Sequence, residues 1–91
     1  MKLLQRLKIW RELKRLEARA RSTPSPSTFV DLGQVYINLG MYDQTLRVSE
    51  EGLALFPNSK ELRKLNSFAK KSHLKRRIKE LRAEVNKAAT P

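Results

Sequence analysis

The chain has 91 residues, no cysteine and a formal net charge of +11. That length holds one small domain, read here as residues 1–91. The absence of cysteine excludes a disulfide framework and a thiolate metal site, and it fits a reducing cytosol, so a cytoplasmic location is expected. No apolar run approaches the roughly 20 residues needed to span a bilayer, so a membrane partner is not expected.

The charge is unevenly placed. Residues 1–23 carry a net +6, residues 24–59 a net −3, and residues 60–91 a net +8. A mildly acidic middle is thus flanked by two strongly basic segments. The composition favours helix, with many Leu, Lys, Arg, Glu and Ala and only three glycines.

The first segment predicts a helix over 2–21. Basic residues are mixed among the leucines of Met1–Trp10, and no small-residue cleavage site follows, so this stretch reads as helix rather than signal peptide. Leu3, Leu7 and Trp10 share one stripe, while Ile9, Leu13, Leu16 and Ala20 form a second, heptad-like seam. Ser22-Thr23-Pro24-Ser25-Pro26 then breaks the pattern, with Ser25 as N-cap and Pro26 as first residue of a new helix.

Phe29, Leu32, Val35, Tyr36 and Leu39 recur at helical spacing over 26–39, and Gly40 supplies a left-handed stop. Tyr42, Leu46, Ser49, Leu53 and Phe56 trace a helix over 42–56, ended by Pro57. Asn58 is the expected cap of a last helix, 59–88, with Glu61 three residues on as in a capping box. That helix changes phase midway. Leu62, Leu65, Phe68 and Ala69 mark one face, expected to cover the preceding hairpin. Leu74, Ile78, Leu81 and Val85 mark the opposite face, with Lys70-Lys71-Ser72-His73 between them. No Gly or Pro interrupts it, so one continuous helix is expected. The fold class read from the chain is all-α: an antiparallel array of about four helices.

The middle hairpin resembles the tetratricopeptide repeat family. The resemblance rests on Phe29, Leu32-Gly33, Tyr36, Leu39-Gly40, Tyr42, Gly52 and Pro57, at the places where that family prefers such residues. It covers about a third of the chain. Thr45 and Ser49 depart from the pattern, standing where the family prefers alanine and often an aromatic. Gly33 and Gly52 are expected to let the two hairpin helices approach closely, with Phe29, Leu32, Tyr36, Leu46 and Leu53 filling the space between them. The resemblance implies a scaffold that binds a peptide or partner helix along the first helix of the hairpin. The residues it points to are Ser27, Val30, Gln34, Ile37 and Asn38. No lysine stands among them, which speaks against a carboxylate grip.

An internal similarity is less obvious. A shift of 65 residues lays Ile9–Ala18 on Leu74–Ala83, and the seam 9/13/16/20 on 74/78/81/85. The last helix would then stand to another hairpin, or to another copy, as the first helix stands to this one. Four apolar side chains left in water would each forgo roughly 1.5–3 kcal/mol. The expected remedy is self-association through terminal helices, using Ile9, Leu13, Leu16, Leu74, Ile78, Leu81 and Val85.

No catalytic, cofactor or metal site is expected. His73 is the one histidine, no ligand spacing surrounds it, and all three glycines have structural roles. A protein or peptide partner is the leading reading. The alternative is an RNA- or ribosome-binding accessory acting through the basic helices, since a pI near 10.6 is an electrostatic footprint for nucleic acid. Against it, Trp10 and Phe68 are the only aromatics in those segments that could stack on bases.

Overall fold

A computed structural model describes residues 3–89, which form four helices and no strand. They are α1 (Leu3–Ser22), α2 (Pro26–Asn38), α3 (Tyr42–Leu55) and α4 (Lys60–Ala89). The protein is therefore an all-α array of antiparallel helices, with boundaries within a residue or two of those read from the periodicity.

The local chemistry sets the ends. Ser25 is extended, and its hydroxyl accepts from the Thr28 amide at 3.2 Å, with Pro26 opening α2. Gly40 has φ +71°, a left-handed conformation that lets the chain reverse into α3. At the head of α4 the cap is Ser59, whose Oγ accepts from the Leu62 amide at 3.3 Å, not the expected Asn58. A serine one residue nearer the helix reaches the orphan amide, and the Asn58 carbonyl accepts from Arg63 instead.

Adjacent helices pack in chain order, and α4 also lies along α2. α1 approaches α2 alone among the described helices. The core gathers Leu13 and Leu16 of α1, Phe29, Leu32 and Tyr36 of α2, Val48 of α3, and Leu62 and Leu65 of α4. Both hairpin glycines are buried, yet what presses on them differs from expectation. A Cβ on Gly33 would lie 2.5 Å from Leu65 Cδ2; one on Gly52 would lie 3.0 Å from Leu62 Cδ1 and 3.1 Å from Phe29 Cβ. The glycines chiefly admit the leucines of α4, and only Gly52 also eases the α2–α3 approach.

The buried face of α3 is turned from the one expected. Thr45, Val48, Ser49 and Gly52 face inward, while Leu46 and Leu53 are half-buried. The two family departures lie on this face and are satisfied. Thr45 Oγ1 donates to the Met41 carbonyl at 3.0 Å, and Ser49 Oγ donates to the Leu46 carbonyl at 2.8 Å. Asn66 Nδ2 of α4 donates to Ser49 Oγ at 3.0 Å. No buried side-chain polar atom among the described residues lacks a partner.

Two helices outrun the hairpin. α4 has 30 residues and α3 has 14, so α4 runs roughly 24 Å further at 1.5 Å per residue. α1, with 20 residues, likewise outruns the 13 of α2. Because neighbours run antiparallel, both overhangs pass the Gly40 end of the molecule.

Candidate functional site

The five residues expected to meet a peptide lie on α2, and α4 supplies a second wall beside two of them, Gln34 and Ile37. Ser27, Gln34 and Asn38 are exposed, while Val30 and Ile37 are half-buried against the core. Gln34 and Ile37 border an open groove with Lys64, Leu65 and Phe68 of α4. Lys64 and Phe68 continue outward to Lys71.

Phe68 departs from expectation. It is 49% exposed, although the periodicity places it with Leu62, Leu65 and Ala69 on the covered face. Those three are buried at 5% or less. A helix lying across two neighbours buries a stripe narrower than the sequence pattern suggests, and Phe68 falls at its edge, over the groove. No lysine stands among the five residues of α2, but α4 brings Lys64 beside Gln34 and Ile37. A repeat-length step of 34 residues carries Val30 to Lys64, Gln34 to Phe68 and Ile37 to Lys71. That step was the signal available in the sequence for finding these residues.

On the other side of α2, a second groove separates α1 from α3. Its floor is core, including Leu32, Tyr36 and Val48; Glu17, Arg21, Arg47 and Glu51 stand at its walls. Tyr36 donates through its hydroxyl to Glu17 Oε1 at 3.0 Å. Burial, then the hydrogen bond to Glu17 and the charge of that carboxylate, pushes the phenol from 10.0 up to about 12. This bond ties α1 to α2.

The residues expected to drive self-association divide into two sets. Leu13 and Leu16 are 1% and 4% exposed, seated in the chain's own core, and Ile9 is half-buried. Leu13 and Leu16 are therefore not free to meet a second chain. Leu74, Ile78, Leu81 and Val85 are 42–65% exposed on the overhang of α4. Leu3, Leu4, Leu7 and Trp10 are also exposed, on the overhang of α1.

His73 Nδ1 lies 2.6 Å from Asp43 Oδ1, and Arg76 Nη1 donates to the Gly40 carbonyl at 3.1 Å. These contacts fasten α4 to the start of α3 just before it leaves the hairpin. No group of three or more His, Cys, Asp or Glu side chains among the described residues could hold a metal ion. No described helix is long and apolar enough to cross a membrane. The chain matches no protein-family model, no curated protein and no solved structure.

Proposed function

We propose that this protein is a tetratricopeptide-like interaction module of the cytoplasm that docks a peptide or partner helix in the groove between α2 and α4. The supporting observation is the half-exposed Phe68 ring, set beside Ile37 and flanked by Lys64 and Lys71. A large aromatic at the edge of a groove loses water when a partner covers it, and such anchors dominate binding energy at interfaces. Gln34 offers both donor and acceptor to an extended backbone. The lysines select for acidic residues on either side of an apolar anchor. The groove is a binding surface with no catalytic role.

Selection from a displayed library of short random peptides tests this reading. The expected consensus is one apolar anchor with Asp or Glu nearby, bound by the intact chain. Phe68→Lys and Ile37→Lys should abolish that binding. Peptides that bind both variants as well as the parent would remove the groove from consideration. The RNA reading draws its support from the exposed Lys and Arg of the overhangs. It requires an RNA oligonucleotide to bind with log affinity falling linearly against log salt, indifferent to both substitutions.

A further inference from the structure

The overhang of α4 carries a stripe that no other described residue covers. From His73 to Ala89 every described residue is exposed. The hairpin turns back at Gly40, where Arg76 makes its contact, and α1 makes no approach to α4. The structure nonetheless contains a worked example of what such a stripe does.

On the 65-residue shift, Leu13, Leu16 and Ala20 of α1 correspond to Ile78, Leu81 and Val85, and Ile9 corresponds to Leu74. Arg11, Lys14, Leu16 and Ala18 recur unchanged as Arg76, Lys79, Leu81 and Ala83. In α1, Leu13 and Leu16 are buried and Ala20 packs on the same cluster. Among the described helices α1 approaches α2 alone, and the inward face of α2 includes Phe29, Leu32 and Tyr36. That seam therefore seats the first helix of an α-hairpin. The second spelling of the seam is 42–65% exposed.

We infer that Leu74, Ile78, Leu81 and Val85 form a seat for a further helical hairpin of the α2–α3 kind, carried by a partner and presenting an aromatic–leucine face. Where the two seams differ, they define the partner's chemistry. Glu17, which accepts the Tyr36 hydroxyl, corresponds to Arg82. The seat thus offers a cation where α1 offers a carboxylate, and its docked helix should carry an acidic side chain in the place of Tyr36. Residues 70–89 carry eight Lys/Arg and two Glu, which again favours an acidic hairpin. A second copy fits less well, because its own α2 is already seated on its own α1 and its Tyr36 already has an acceptor. The seat shares no residue with the α2–α4 groove, so either reading can fail without the other.

The test extends the intact chain beyond Pro91 with a second copy of residues 25–59. The Thr-Pro pair that precedes Ser25 recurs at Thr90-Pro91, so the junction repeats Thr-Pro-Ser-Pro. Two versions are compared, one with the appended Tyr36 kept and one with the appended Tyr36→Glu. Amide hydrogen exchange is followed across residues 74–86 in the extended and parent chains. The expected result is about tenfold slower exchange there in the extended chain, slower still in the glutamate version. Leu81→Glu in the extended chain should cancel this slowing while leaving Leu62–Ala69 unchanged. Exchange over 74–86 that stays within about twofold of the parent overturns the proposal, whether the appended hairpin folds elsewhere or not at all. A parent chain that dimerises in sedimentation equilibrium, and becomes monomeric with Leu81→Glu, overturns it too, because the occupant is then a second copy.

Discussion

Asn66 of α4 donates to Ser49 of α3 at 3.0 Å, and the two side chains are 7% and 0% exposed. This hydrogen bond joins the two most extensively packed helices inside the core. Ser49→Ala leaves the Asn66 amide buried without that acceptor and should cost about 1–3 kcal/mol. Asn66→Ala should cost less, because Ser49 Oγ keeps the Leu46 carbonyl as acceptor. Denaturant titrations of both variants and the double variant check this. The double variant should lose less than the sum of the two, since both changes remove one bond.

Gly52→Leu should destabilise the fold by about 1–3 kcal/mol or more, because Leu62 and the Phe29 Cβ already occupy the space beside Gly52. Gly33→Ala would set its Cβ 2.5 Å from Leu65 Cδ2, the far end of a flexible side chain. Its overpacking is partly offset by the roughly 1 kcal/mol that alanine gains over glycine in a helix. Shortening the neighbour with Leu65→Val should therefore suppress the Gly33→Ala defect. A melting temperature unchanged by Gly52→Leu contradicts the packing described.

Tyr36 links stability to alkaline pH. Its phenol stands at about 12 in the fold against 10.0 ordinarily. The raised value means the folded state holds the proton more tightly. The associated stability is complete below pH 10, declines as pH rises from 10 towards 12, and is lost above that. The full decline is at most about 3 kcal/mol. Tyr36→Phe removes this slope, so the difference between parent and variant across pH 9–12 isolates it from the titration of lysines.

Hydrogen exchange should divide α4 in two. Amides near Leu62, Leu65 and Ala69 exchange only with global opening, as those side chains are buried. Beyond the contacts of His73 and Arg76, every described residue of the helix is exposed, and the pairs of Glu80 with Arg76 and Arg77 lie at its surface. A segment of that length is marginal alone in water, so its amides should exchange orders of magnitude faster. Uniform protection along α4 would contradict this picture.

Periodicity and punctuation made the helices legible. Ser25-Pro26, Gly40 and Pro57 are local signals, and each acts through its own backbone. The face that α3 buries was not legible. Leu46 and Leu53 are the larger apolar residues, yet α4 packs against the small Ser49 and Gly52, where a long helix can come close. The candidate site was half legible for the same reason. Gln34 and Ile37 follow from one hairpin, whereas Phe68 and Lys64 join them only through the placement of α4. Leu13 and Leu16 looked identical in kind to Ile78 and Leu81; only the lengths of the helices, and the turn at Gly40, decide which pair is covered.

The uninterrupted run of α4 makes it a lever. Phe68 and Lys64 stand near its fixed part, and Leu81 lies 16 residues beyond Leu65, about 24 Å along the axis. A tilt of about 10° at the hairpin would swing that far end by about 4 Å. Once a partner seated on Leu74–Val85 holds that segment helical, a ligand wedged against Phe68 would be felt at the tip as a change of aim.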